Sequence, residues 1–226
     1  MELIKHTTGP HSYFLSGPNP SVLFLSGMHG DEFGSGKILQ AFLNTRAEDP
    51  HFLYIPKVSP SAIAQGTRAN AQGHDINRQF RFGTEDAEAK SIMSIVSPYR
   101  FRIVIDIHED PDRTQAFYVY DNARMTPQEL ALYRDAIHQT DARLYTGIDD
   151  LEDENLGCHV DRGYYSFRTD WDVDTDKDAG FFSKWAVTQG IAARVFTVEI
   201  PGKAPDSLKR QLIDAVVPFL TSTFAV

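Results

Sequence analysis

Short apolar runs bounded by glycine and proline, with segments of helical spacing between them, mark an alternation of strands and helices along this chain. His11 to Leu15 and Ser21 to Leu25 read as strands on either side of the turn Gly17-Pro18-Asn19-Pro20. Gly34 to Thr45 carries Ile38, Leu39, Phe42 and Leu43 on one helical face, and Phe52 to Ile55 with Val58 reads as a strand closed by Pro60. Glu85 to Ser97 follows as a helix stopped by Pro98. Arg102 to His108 is an apolar run of the kind buried on both faces and ends on His108, and Ala116 to Tyr120 is another strand. Thr126, Pro127 and Glu129 supply the N-cap, first-turn proline and third-position carboxylate of a helix reaching about to Gln139. Gly180 to Gln189 reads as a short helix, Ala193 to Ile200 as a central strand and Ser207 to Phe224 as an amphipathic closing helix. Such alternation predicts one α/β domain over residues 1–226: a mixed, mostly parallel central sheet with helices on both faces.

Two stretches break the pattern. Ala64 to Phe82 is polar and aperiodic, and a loop of that length inside a compact domain is usually functional. Residues 147–179 contain eleven Asp and Glu. Asp170, Asp172, Asp174, Asp176 and Asp178 alternate there, but the twelfth position of a calcium loop would be Phe181 and its turn glycine Thr175, so an EF-hand is rejected. The stretch reads as a solvated acidic loop placed to cover a site.

Composition narrows the function classes. With 226 residues, 42% hydrophobic and 23% charged, the chain is ordinary for a soluble domain with a full core. A net charge of -9 without any basic run argues against nucleic acid and anionic membrane surfaces as partners. The N-terminal residues lack an apolar signal core and no run reaches the length of a membrane span, so a cytoplasmic enzyme is the expectation. The single cysteine, Cys158, sits in acidic surroundings that raise a thiol pKa, which makes it inert.

The candidate chemistry begins at Ser26-Gly27-Met28-His29-Gly30-Asp31-Glu32. Taken alone, His29 and Glu32 are equally a buried histidine and a solvated glutamate bordering a glycine turn. His108, however, closes a second apolar strand, and loops at the ends of parallel strands are where open α/β sheets place ligands. Two imidazoles and one carboxylate brought onto one ion are the ligand set of a catalytic zinc, which keeps a fourth position open for water. Glu199 interrupts an otherwise apolar strand, and a carboxylate there costs solvation unless something needs it.

Together these motifs resemble the zinc metallocarboxypeptidase family and its succinylglutamate desuccinylase and aspartoacylase relatives. The resemblance is carried by Gly27-Met28-His29-Gly30-Asp31-Glu32, by Arg68-Ala69-Asn70 through Gly73-His74-Asp75-Ile76-Asn77-Arg78-Gln79-Phe80, by Asp106-Ile107-His108 and by Thr197-Val198-Glu199-Ile200, over about residues 20–202. It implies Zn2+ as cofactor on His29, Glu32 and His108, with Asp75 orienting His29. It implies that Asn77 and Arg78 hold the substrate's terminal carboxylate, that Arg68 stabilises an oxyanion and that Glu199 is the general base. The expected substrate is a small peptide, or alternatively an N-acyl amino acid, with a free carboxylate; a metal-free binding module is the reading from another class. The chain departs from the family in being shorter than many secreted members, and its mobile-loop tyrosine is not assignable, with Tyr164 and Tyr165 as candidates. Glu109 and Asp110 replace the small or polar residues common after the histidine, which favours a substrate with a cationic group.

Overall fold

The computed structural model of the protein describes residues 3–45, 50–149, 158–167 and 180–225. Most of the acidic stretch expected to cover the site, including Asp170, Asp172, Asp174, Asp176 and Asp178, lies outside the described residues.

The chain opens with two strands that pair antiparallel across Gly9-Pro10, β1 (Ile4–Thr8) and β2 (His11–Leu15). Next come β3 (Val22–Ser26), α1 (Gly34–Asn44), β4 (Phe52–Ile55), α2 (Pro60–Gln65), a 3-10 turn at Ile76–Arg78 and α3 (Ala87–Val96). The central stretch holds β5 (Phe101–Asp110), β6 (Ala116–Asp121), α4 (Pro127–His138), β7 (Arg143–Leu144), β8 (Gly147–Ile148), β9 (His159–Val160) and β10 (Tyr164–Ser166). The last elements are α5 (Phe182–Thr188), β11 (Ala192–Pro201) and α6 (Asp206–Phe224). Among the described residues, one sheet runs β1-β2-β4-β3-β5-β11-β6-β10 with β7 beside β6, while β8 and β9 pair separately. Its centre, β4-β3-β5-β11, is parallel, and β6 returns antiparallel against β11.

Side chains alternate across each strand, so every buried strand feeds two cores. Val22 and Phe24 of β3 join Ile38, Leu39 and Phe42 of α1, Tyr133 of α4 and Leu212 and Val216 of α6 on one face. Leu23 and Leu25 join Ile92 and Val96 of α3 and Phe182 and Trp185 of α5 on the other. The mixed sheet with helices on both faces is therefore present. The capping box at α4 also forms, with Glu129 N–H donating to Thr126 Oγ1 at 3.2 Å and Thr126 N–H donating to Glu129 Oε2 at 2.7 Å.

Two local expectations are corrected and one strand is added. Pro60 does not close a strand; it opens α2, where its fixed φ and missing N–H suit the first turn. β1 was not visible in the hydrophobic pattern because its residues are mostly exposed at the sheet edge. His108 does not end its strand either, since β5 stays paired with β11 through Asp110 opposite Pro201. That extension turns Glu109 to the face opposite His108, where it meets α1 and α6. Its carboxylate accepts from Ser35 Oγ at 2.6 Å and from the Ser35 N–H, and Lys209 Nζ donates to it at 2.8 Å. Glu109 thus satisfies an orphan donor at the start of α1, whose N-cap residue Phe33 offers no side-chain bond, and is turned away from the face that carries His108. Asp110 is likewise engaged within the protein, by Arg113 at 3.1 Å and Tyr118 Oη at 2.9 Å.

Lys209 and Glu109 are both only 6% exposed. Removing one partner of such a pair strands the other charge, so Lys209→Ala is expected to destabilise the fold by about 3–5 kcal/mol, whereas Lys209→Met with Glu109→Gln costs much less. Urea denaturation of the two variants checks this.

Candidate metal centre

The centre is built where β3 ends beside β5, at the Ser26–Ile107 pair. After Ser26 the backbone turns at Gly27 and carries His29 and Glu32 in the loop before α1, and β5 presents His108 alongside. Gly30 is required in that loop, because a Cβ there would lie 1.9 Å from the Ala62 carbonyl oxygen of α2. The close approach lets the Gly30 N–H donate to Thr67 O at 2.8 Å, which ties the loop to the segment that follows α2.

His29, Glu32 and His108 are all buried, and one ligand atom from each lies within 4.8 Å of the others. His29 Nδ1 is 3.1 Å from Glu32 Oε1, and His108 Nδ1 is 3.1 Å from Glu32 Oε2. Tetrahedral coordination with bonds of about 2.0–2.1 Å sets ligand atoms about 3.3 Å apart, so the donor set fits a metal ion. Both rings direct Nδ1 inward and give Nε2 to a carboxylate: His29 to Asp75 Oδ1 at 3.0 Å and His108 to Asp106 Oδ2 at 3.2 Å. A carboxylate on the far nitrogen fixes tautomer and ring orientation and raises ligand basicity. Asp75 is the partner expected for His29; Asp106 was missed as the partner of His108. Its signal was present in the sequence, because positions 106 and 108 of a strand share a face.

Asp75 is the hub of the rim. It accepts from Arg68 Nε at 3.0 Å and from its own turn through the Asn77 N–H at 2.9 Å, and Arg78 Nη1 lies 3.9 Å away. Arg68, about half exposed, also reaches Glu32 Oε1 at 3.4 Å. The loop carrying these residues is pinned to α3 by Asp86, which is fully buried and accepts from Asn70 Nδ2 at 2.6 Å, His74 Nδ1 at 3.0 Å and the Ala89 N–H at 2.9 Å.

Glu199 of β11 is the register partner of His108 in the parallel pair and of Tyr118 in the antiparallel pair with β6. Burial pushes its carboxyl up to about 8, against the pull of His108 and with the push of Glu32 and Asp110. Tyr118 and Tyr120 stand on the same face, their hydroxyls held by Asp110 at 2.9 Å and Asp149 at 2.5 Å, and burial with the charge of Glu199 drives both phenols far up. Sequence reasoning missed this tyrosine wall, since only the β6–β11 pairing reveals it. Of the tyrosines singled out instead, Tyr164 is buried with its hydroxyl on Asp121 at 2.6 Å, and Tyr165 packs against Tyr120. Cys158 has its thiol pKa raised by burial, with Asp149 adding to the effect.

The structure therefore brings His29, Glu32, His108, Asp75 and Arg68 into one contact network, with Asn77 and Arg78 on the same turn as Asp75 and Glu199 level with His108. The fold around them is that of the metallocarboxypeptidases. No protein-family model and no curated protein matches the chain. Among solved structures it is similar to one from Shewanella denitrificans OS217 described as a "putative metallopeptidase", at 22% identity and TM-score 0.75, over 99% of this chain and 85% of that one. It is similar to a metallo-carboxypeptidase from Burkholderia cenocepacia at 16% identity and TM-score 0.61, over 97% of this chain and 65% of that one. The murein-tripeptide amidase of Escherichia coli O157 matches at 18% identity and TM-score 0.56, over 92% of this chain and 85% of that one. At these identities the likeness is one of fold. Among the described residues, no helix is long and apolar enough to cross a membrane.

Without an ion the cluster must hold protons instead. Burial lowers the His29 imidazole, but hydrogen bonds to Asp75 and Glu32 outweigh it and raise the group above its ordinary 6.5. Burial lowers His108 too, and Asp106 and Glu32 raise it further. The two histidines hold Glu32 below the usual carboxylate range against its burial. A raised imidazole stabilises the fold fully below pH 6.5 and loses that contribution as pH climbs through its folded value. Chelator-treated protein is therefore expected to melt at a lower temperature at pH 8.5 than at pH 6, and added divalent metal is expected to reduce the difference; calorimetric Tm values at both pH values check this.

Proposed function

We propose that the protein is a zinc-dependent metallocarboxypeptidase that hydrolyses the C-terminal amide bond of a small peptide. The observation that carries this reading is the convergence of His29 Nδ1, Glu32 and His108 Nδ1, each imidazole backed by its own carboxylate, with Glu199 level with His108. Two histidines and one glutamate are a recurring catalytic zinc set that leaves a position open. A zinc ion bound there supplies a Lewis acid and lowers the pKa of water toward about 7.

The chain's own residues do the remaining work. Asn77 and Arg78 hold the terminal carboxylate, a task suited to a planar guanidinium fork, and so set the register of the substrate. Arg68, at the rim beside Glu32, places a fixed positive charge where the scissile carbonyl oxygen becomes an oxyanion. Glu199 takes the proton of the attacking water and passes it to the leaving amine. The elevated carboxyl value of about 8 belongs to the ion-free cluster, and a divalent cation nearby draws it down toward the range a base requires.

The fold likeness to a metallo-carboxypeptidase and to a murein-tripeptide amidase supports hydrolysis of an amide bond. The tests are metal analysis of the purified protein and turnover on short peptides against N-acyl amino acids; activity on the second panel alone would replace peptidase with deacylase. Glu199→Gln is expected to keep its metal and lose about 10²–10⁴-fold in kcat. Normal turnover by that variant removes Glu199 from the chemistry. Arg78→Ala is expected to lower kcat/KM for substrates with a free carboxylate by about 1.5–3 kcal/mol, the worth of a charge-assisted pair, and to spare substrates amidated at that end.

A further inference from the structure

The turn Ile76–Arg78 is too short to fix two side chains by itself. Besides Asp75, it is held by a three-residue segment from far along the chain, Gly180-Phe181-Phe182, at the start of α5. The Phe182 N–H donates to Asn77 Oδ1 at 3.0 Å, which sets the carboxamide and leaves its NH₂ as the group available to a ligand. The Phe80 N–H donates to Gly180 O at 2.9 Å, so the segment is bonded to the turn on both sides of Arg78. Gly180 is in the left-handed region with φ +67°, and a Cβ there would fall 2.1 Å from the Arg78 carbonyl oxygen, so only glycine permits this approach. Beneath it, Phe80, Phe182 and Trp185 pack ring against ring, with Phe80 and Phe182 edge to face at 5.1 Å.

On this base the Phe181 ring lies under the Arg78 guanidinium, with Cζ 4.1 Å from the ring centroid. The Arg78 side chain is 19% exposed and its Nη1 donates to Asn77 O at 3.2 Å. A cation stacked on an aromatic face keeps its in-plane N–H donors pointing outward, whereas an unstacked arginine samples many rotamers. We infer that Phe181 is a positioning residue for substrate: its ring orients Arg78 for in-plane, two-pronged capture of a carboxylate, and the Gly180 and Phe182 backbone aligns Asn77 beside it. The inference rests on the assignment of Arg78 as the carboxylate anchor. Phe181 touches neither the His29, Glu32, His108 cluster nor Glu199 through any contact seen in the structure, so its effect belongs to binding rather than to the bond-breaking step.

The test compares Phe181→Leu, Phe181→Ala and Phe181→Trp in the metal-loaded protein, reading KM and kcat separately on peptides with free and amidated C-termini, together with Tm and metal content. Leucine keeps apolar volume but has no π-face, so Phe181→Leu and Phe181→Ala are expected to raise KM for the free-carboxylate peptide by about two- to tenfold, with a smaller change in kcat and none in metal content. Phe181→Trp is expected to restore KM, and the amidated peptide is expected to distinguish none of the three. Wild-type KM in Phe181→Leu, an equal loss on both peptides, or a loss of folding in every variant overturns the inference and makes Phe181 a packing residue. If Arg78→Ala itself leaves KM unchanged for the free-carboxylate peptide, the anchor assignment fails; if Arg78→Ala is impaired and Phe181→Leu is not, only the positioning role fails.

Discussion

A carboxylate buried between two imidazoles is the constraint to which the surrounding structure answers. Glu32 offers one oxygen to each histidine, and neither ring can turn away without leaving that charge uncompensated in a dry environment. The rings are held from behind as well as in front, by Asp75 on one and Asp106 on the other. Three carboxylates around two imidazoles leave an excess of negative charge, which Arg68 partly offsets from the rim. A divalent cation at the centre supplies the same two positive charges as a proton on each ring, and it removes the need for either imidazole to carry charge.

Each side of this cluster is anchored to a different structural layer. Glu32 and His29 belong to a loop clamped against α2, His108 to the sheet, and Asp75 to a loop fastened to α3 through Asp86 and to α5 through Gly180 and Phe182. The opposite face contributes too: Glu109, next to His108, joins the start of α1 to Lys209 of α6. Adjacent residues of one strand thus serve the His29, Glu32, His108 cluster on one side and packing on the other, a direct result of the two-residue repeat.

Much of this could be read from the sequence, for identifiable reasons. Helices with full amphipathic turns and a capping box, such as α1 and α4, announce themselves locally, and so do continuous apolar strands such as β3. The cluster residues were legible because they stand just after one such strand and near the end of another, and because four short motifs occur in a recognisable order. What stayed hidden depended on partners distant in the chain. Glu109 looked available to a cation until the sheet turned it toward Lys209. Tyr118 and Tyr120 looked like strand residues until β6 lay against β11, and Phe181 looked like a helix start until its ring was seen under Arg78. Pro60 was misread because proline closes a strand and opens a helix with equal ease, and only the following turn decides.

The parallel register that sets His108 level with Glu199 has a consequence for how such a protein can diversify. The separation between those two groups is a rung of a hydrogen-bonded ladder in the middle of the molecule, whereas the residues that would greet an incoming molecule sit on loops. Lengthening or recolouring the loops leaves the rung untouched. Descendants of this chain can therefore exchange one set of loop contacts for another while inheriting the same spacing of His108 and Glu199, and drift in the periphery leaves that spacing undisturbed.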